Sequence, residues 1–74
     1  MNEFGIYLKE LRGKKSIREV AKEVGISHTY LSTLEKGKDP RTGYVRKPSL
    51  ETLKKLAIGL NVSYLELLQL AGYF

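Results

Sequence analysis

Ser16 to Gly37, SIREVAKEVGISHTYLSTLEKG, carries two short amphipathic segments joined at Gly25. This pattern constrains the fold more than any other stretch of the chain. Val20, Ala21 and Val24 share one helical face, and Leu31 and Leu34 share a second one after Ile26. These spacings follow the helical period of about 3.6 residues. A glycine suits the left-handed backbone that ends a helix, because it has no Cβ to clash there. Ser16 and Glu19 have the spacing of a capping box, and Ser27 stands where it can cap the next helix. Ala21 matters through its small size, since two helices that cross steeply need a close approach where their cores meet. Together these features predict a helix over about 17–24 and another over about 28–36, turned across one another.

The second of these helices sorts its residues by face. At about 100° per residue, His28, Thr29, Ser32, Thr33 and Lys36 fall within one exposed arc, opposite Tyr30, Leu31 and Leu34. The arc offers hydrogen-bonding groups with no acid in its middle; Glu35 sits at its border. On an isolated helix such a face is ordinarily just solvated. Behind the Ser16–Ser27 pattern it is projected outward, as in a helix-turn-helix, and reads as a surface suited to a DNA major groove.

Glu3 to about Gly13 is expected to form a first helix, with Phe4, Leu8 and Leu11 at helical spacing and Met1 and Asn2 frayed ahead of it. Ser49 caps a fourth helix, Leu50 to about Leu60, whose Leu53, Leu56, Ala57 and Leu60 face inward. Asn61 ends that helix and Ser63 begins a fifth, which carries Leu65 and Leu68, with Leu67 beside them. Between the third and fourth helices lies the irregular segment GKDPRTGYVRK, Gly37 to Lys47, with turn signals at Asp-Pro and Thr-Gly. Tyr44 and Val45 have the composition of a short extended piece. The segment is either a tolerated surface insertion or a basic wing that touches phosphates or the minor groove. No repeat or low-complexity tract interrupts the chain, and residues 1–74 read as one all-α domain with its helix-turn-helix at about 16–36.

Seventy-four residues bury a modest core, only about 60% of the surface the unfolded chain exposes. There is no cysteine, hence no disulfide framework and no thiolate metal site. No apolar run approaches the roughly 20 residues of a membrane span, and no secretory segment is recognisable. The expectation is a soluble, cytoplasmic protein without membrane contact. Thirteen Lys and Arg oppose eight Asp and Glu, for a net charge of +5. The distribution says more than the sum. Lys14, Lys15 and Arg18 cluster at the start of the first motif helix, while Lys36, Lys38, Arg41, Arg46 and Lys47 follow the second. Both groups flank the polar arc, where phosphates would lie if the arc faced bases.

Catalysis has little to work with. His28 is the single histidine, with no acid on its face to orient it, and the hydroxyls are better explained as caps and surface groups. Phosphate-binding glycine loops and metal-ligand clusters are absent from the sequence. We therefore expect no enzyme, no cofactor, no metal and no small-molecule substrate. The competing classes are a DNA-binding protein and a protein-interaction module.

SIREVAKEVGISHTYLSTLEKG resembles the helix-turn-helix of the lambda-repressor-like family, also called the Cro or xenobiotic-response-element family. PSLETLKKLAIGLNVSYLELL, Pro48 to Leu68, resembles that family's last two helices. The ordered combination A-xxx-GIS-xxx-LSxLEKG, then PSLETLxKLAxxLNV, makes the resemblance specific, and it spans most of the chain. It implies a five-helix domain that binds double-stranded DNA, usually as a homodimer on a palindromic operator, and a transcriptional regulator of repressor type. The alternative is an antitoxin or adaptor that uses the same fold for protein contact. On the matching positions, His28, Thr29, Ser32 and Thr33 are expected to read bases. Lys15, Arg18, Ser27, Lys36, Lys38, Arg41, Tyr44, Arg46 and Lys47 are expected to contact phosphates. Leu67, Leu70, Ala71, Tyr73 and Phe74 are expected to form the dimer interface, since the fifth helix often does so in relatives. Glu35 should pair with Arg12. Two departures stand out: Ile17 occupies a position where many relatives place a phosphate-holding Gln, and the link from Arg12 to Ser16 is shorter than usual. That link implies a tighter junction or an early end to the first helix.

Overall fold

In the computed structural model, residues 3–37 and 47–74 are described, and they contain helices and connections but no strand. The helices are α1, Glu3–Arg12; α2, Ile17–Val24; α3, His28–Lys36; α4, Leu50–Leu60; and α5, Tyr64–Leu70. This is the expected five-helix, all-α architecture. Met1 and Asn2, and the possible extended piece at Tyr44 and Val45, lie outside the described residues.

Serine sets four of the five helix starts. Ser16, Ser27, Ser49 and Ser63 each hold an extended backbone and accept a hydrogen bond from the amide three residues on, at 3.1, 3.0, 3.1 and 3.2 Å. Each cap satisfies an amide that the helix cannot pair internally. Gly25 ends α2 at φ +88°, and both its amide and that of Ile26 bond the Ala21 carbonyl, at 2.8 and 3.0 Å. α1 stops early, at Arg12. Gly13 takes φ +58° and the Lys15 amide bonds the Arg12 carbonyl, so a single turn covers the short link to α2.

The core is built from the expected faces: Phe4 and Leu8 of α1, Val20, Ala21 and Val24 of α2, Leu31 and Leu34 of α3, Leu53 and Leu56 of α4. α1 packs on α3 and α5, α2 on α3 and α4, and α4 on α5. Ala57 and Leu60 pack at its margin, and Leu11 is half-buried. The fifth helix corrects the sequence reading. Leu67 is fully buried while Leu65 is 55% exposed, so the inward stripe runs Tyr64, Leu67, Leu68, Ala71. In a seven-residue helix with four leucines the apolar phase is ambiguous, and the contacts with α1 and α4 decide it. Leu67 is therefore core, not dimer surface. The rest of the chain's apolar end is mostly folded back: Leu70, Ala71 and Tyr73 pack against the core, and the Tyr73 hydroxyl donates to the Pro48 carbonyl at 2.7 Å. Phe74 stays 77% exposed.

α1 lies unusually close to α3. A Cβ on Gly5 would collide with the backbone carbonyl of Glu35, so only glycine permits this crossing. We expect Gly5→Ala to cost about 1–3 kcal/mol through forced separation of the two helices, read as a lowered midpoint in urea unfolding.

Tyr7, half-buried where α1 meets α5, has its phenol pushed above the ordinary tyrosine value. Burial is the main cause, followed by the nearby carboxylate of Glu66 and the hydrogen bond to it. The folded state thus holds this proton more tightly than the unfolded chain. Its contribution to stability is fully present below the unfolded value of about 10 and is lost as pH rises through the folded value. Urea unfolding between pH 8 and pH 11 should show that alkaline loss in the wild type and a smaller one in Tyr7→Phe.

Candidate nucleic-acid interface

α3 presents its outer face beside the α2 amino terminus, and the short Gly25–Ser27 connection determines that placement. His28, Thr29 and Lys36 are exposed and Ser32 is half-exposed. Thr33 departs from the expected arc. It is 8% exposed, and its hydroxyl donates to the Thr29 carbonyl at 3.0 Å. It lies at the edge of the arc nearest Tyr30, and the bond to the preceding turn takes its one donor out of reach of a ligand. Tyr30 is half-buried, with its hydroxyl 3.3 Å from the Thr52 hydroxyl; the latter is 2.9 Å from that of Ser49. This chain of hydroxyls ties α3 to the start of α4.

The one acid bordering the arc is withdrawn from it. Glu35 accepts from Arg12 Nε at 2.9 Å and from Arg12 Nη2 at 3.0 Å, with the two side chains only 8% and 20% exposed. Arg12 Nη1 donates to the Lys15 carbonyl at 3.0 Å, which also pins the turn between α1 and α2. The hydrogen bond to Glu35 raises the guanidinium pKa further, against a smaller opposing effect of burial. The expected Arg12–Glu35 pair is present, and it is bidentate, the stronger arrangement for these groups.

The cations expected at phosphates fall into three groups. Arg18 and Lys36 are exposed and have no carboxylate partner among the described residues. Lys15 is engaged with Glu23 at 2.9 Å, and that contact raises its pKa; the pair is exposed, so it exchanges readily for another anion. Lys47 turns to the chain's end, with Nζ 3.3 Å from the Gly72 carbonyl and 4.1 Å above the Tyr73 ring centre. Lys38, Arg41, Tyr44 and Arg46 lie outside the described residues, as does the wing reading of that loop. Ser27 uses its side chain as the α3 cap.

One basic residue joins this surface without having stood out in the sequence. Lys9 lines a groove with Arg12, Ile17, Ser32, Glu35 and Lys36. Its only sequence signal is the i, i+3 spacing from Arg12, which puts both on one face of α1. Among the described residues, no cluster of three or more His, Cys, Asp or Glu could hold a metal ion, and no helix is long and apolar enough to cross a membrane.

Five short helices with α2 and α3 set as a helix-turn-helix, and a polar face on α3 cleared of acid, define a DNA-binding domain of the lambda-repressor-like type. A helix-turn-helix family profile of the Cro and xenobiotic-response-element kind matches residues 8–67, and the chain belongs to that family. It is thus a DNA-binding helix-turn-helix regulator. No match was found among curated proteins or among solved structures.

Removing Arg12 would strand the Glu35 carboxylate in a mostly buried place. Arg12→Ala should cost about 2–3 kcal/mol, in line with lost hydrogen bonds to a charged group. Arg12→Lys, which cannot make the paired geometry, should recover only part of this in urea unfolding.

Proposed function

We propose that the protein is a sequence-specific transcriptional repressor that reads the major groove with α3. The observation that carries this reading is the composition of the exposed α3 face. His28, Thr29, Ser32 and Lys36 stand there, while the one acid of α3, Glu35, is locked onto Arg12. His28, Thr29 and Ser32 are the readout groups; threonine can hydrogen-bond a base edge or lay its methyl against thymine. None of them makes a bidentate base pairing, so each contact discriminates toward the low end of about 1–3 kcal/mol. The exposed amides at the α3 amino terminus, next to Ser27, suit a phosphate, with Arg18 and Lys36 as flanking cations.

One such helix reads few base pairs, so useful specificity calls for two copies. We assign the protein to a palindromic operator as an isologous homodimer, its helices about 34–36 Å apart along the duplex. The contact surface is Leu70, Ala71, Tyr73 and Phe74, now without Leu67. Repression follows most simply, because occupying a promoter site excludes other proteins without any further contact. The reading places the protein in the cytoplasm, with access to DNA. The antitoxin or adaptor reading draws on the exposed Ile58, Leu65 and Phe74, at 83%, 55% and 77%, which would suit a protein partner.

Binding-site selection on random duplexes tests the proposal, and a recovered palindrome is the expected result. Thr29→Ala should weaken the selected site by about 1 kcal/mol and relax one or two bases. Lys36→Ala should weaken all sequences alike, and Thr33→Val should leave the selected motif unchanged. Absence of any duplex binding at low salt would favour the protein-contact reading instead.

A further inference from the structure

The groove between the last turn of α1 and the outer face of α3 shares Ser32 and Lys36 with the reading above, and its α1 side adds Lys9 and Arg12, which that reading does not use. Lys9 and Arg12 come from α1, Ser32 and Lys36 from α3, and Ile17 forms an apolar wall at the start of α2. The groove's single acid, Glu35, is neutralised by its two hydrogen bonds to Arg12. Lys9 and Lys36 therefore line one open groove of about 340 Å³, neither with a carboxylate partner among the described residues. That is an unbalanced site. Lys15 and Lys47, by contrast, already have internal partners.

The geometry points to this groove as a seat for a phosphodiester of the DNA backbone, held by Lys9 and Lys36. Lys9 thereby becomes a binding residue. The assignment rests on the proposed mode of DNA reading, and it explains how α1 can share in holding the duplex although Ile17 offers no polar group at the head of α2. The seat lies at the carboxy-terminal end of α3, opposite the end that Ser27 caps. The two ends of the helix can then be held by separate phosphates while the arc between them meets bases.

The test is the salt dependence of binding to the selected duplex, measured for wild type, Lys9→Gln and Lys54→Gln, the last a charge-matched control on α4. Circular dichroism first verifies that all three fold. Lys9→Gln should bind about fivefold to tenfold more weakly at 0.1 M salt and flatten the slope of log K against log salt by about 0.9, the value for one released phosphate contact. Lys54→Gln should keep the wild-type slope. If Lys9→Gln keeps it too, or the two variants shift alike, the seat is refuted while DNA binding stands. A wild type that binds no duplex overturns the underlying reading and the seat together. A second arm separates the two sources of phosphate. At matched ionic strength, inorganic phosphate should displace duplex no better than chloride. If it displaces duplex selectively, and Lys9→Gln abolishes that selectivity, the groove is a free-phosphate site and the backbone assignment fails.

Discussion

The Arg12–Glu35 pair is the interaction on which the placement of α3 depends. Glu35 is held from two sides: its backbone carbonyl lies against Gly5 and its carboxylate lies in the fork of Arg12. α1 therefore grips the last turn of α3 through shape and charge at once. A carboxylate in the last turn of a helix is unfavourable against the helix dipole, and the guanidinium offsets that. The same contact has an electrostatic consequence at the surface. By drawing the acid inward it leaves the α3 face polar to basic, a condition that any approach of a polyanion requires. Through its third hydrogen bond, to the Lys15 carbonyl, Arg12 also fixes the turn leading into α2.

Helices of seven to eleven residues would not persist alone in water, because each must offset the cost of starting a helix over few hydrogen bonds. Two kinds of support replace length. Serine caps and left-handed ends at Gly25, Gly37 and Asn61 define where each segment starts and stops. Among the described residues, ten buried apolar side chains, contributed by all five helices, then hold the segments in place. Local chemistry sets the boundaries and burial supplies the stability. This division explains why a chain without disulfides can keep such short elements.

Charge on this surface is sorted by partner rather than by count. Lys15 and Lys47 carry the same formal charge as Lys9 and Lys36, but the first two are already engaged within the molecule. An exposed pair such as Lys15–Glu23 is weak enough to be exchanged, so its engagement lowers but does not abolish its availability. Among the described residues, Lys9 at the end of α1, Arg18 on α2 and Lys36 on α3 are exposed cations without a carboxylate partner, and these form the footprint of the proposed duplex contact.

Much of the fold was legible in the residues. Helix ends were marked by serine, glycine and asparagine, whose preferences act within three or four positions and need no tertiary context. The core faces of α1 to α4 followed from periodicity. The Arg12–Glu35 partnership came from the family pattern, and the structure adds its bidentate geometry. Phase and proximity were beyond reach. Leu65 and Leu67 are equally apolar, and only packing against α1 and α4 determined that Leu67 goes inside. Thr33 sits on the margin of a polar arc, where burial and a bond to the Thr29 carbonyl removed it from the exposed face. Gly5 reads as an unremarkable helix residue until α3 is laid across it, and Lys9 gains a neighbour in Lys36 only when α1 and α3 meet. Sequence by itself determined what is local: where helices begin and end, and which faces are apolar. Tertiary structure decided which side chains share a space, because that depends on contacts between segments far apart along the chain.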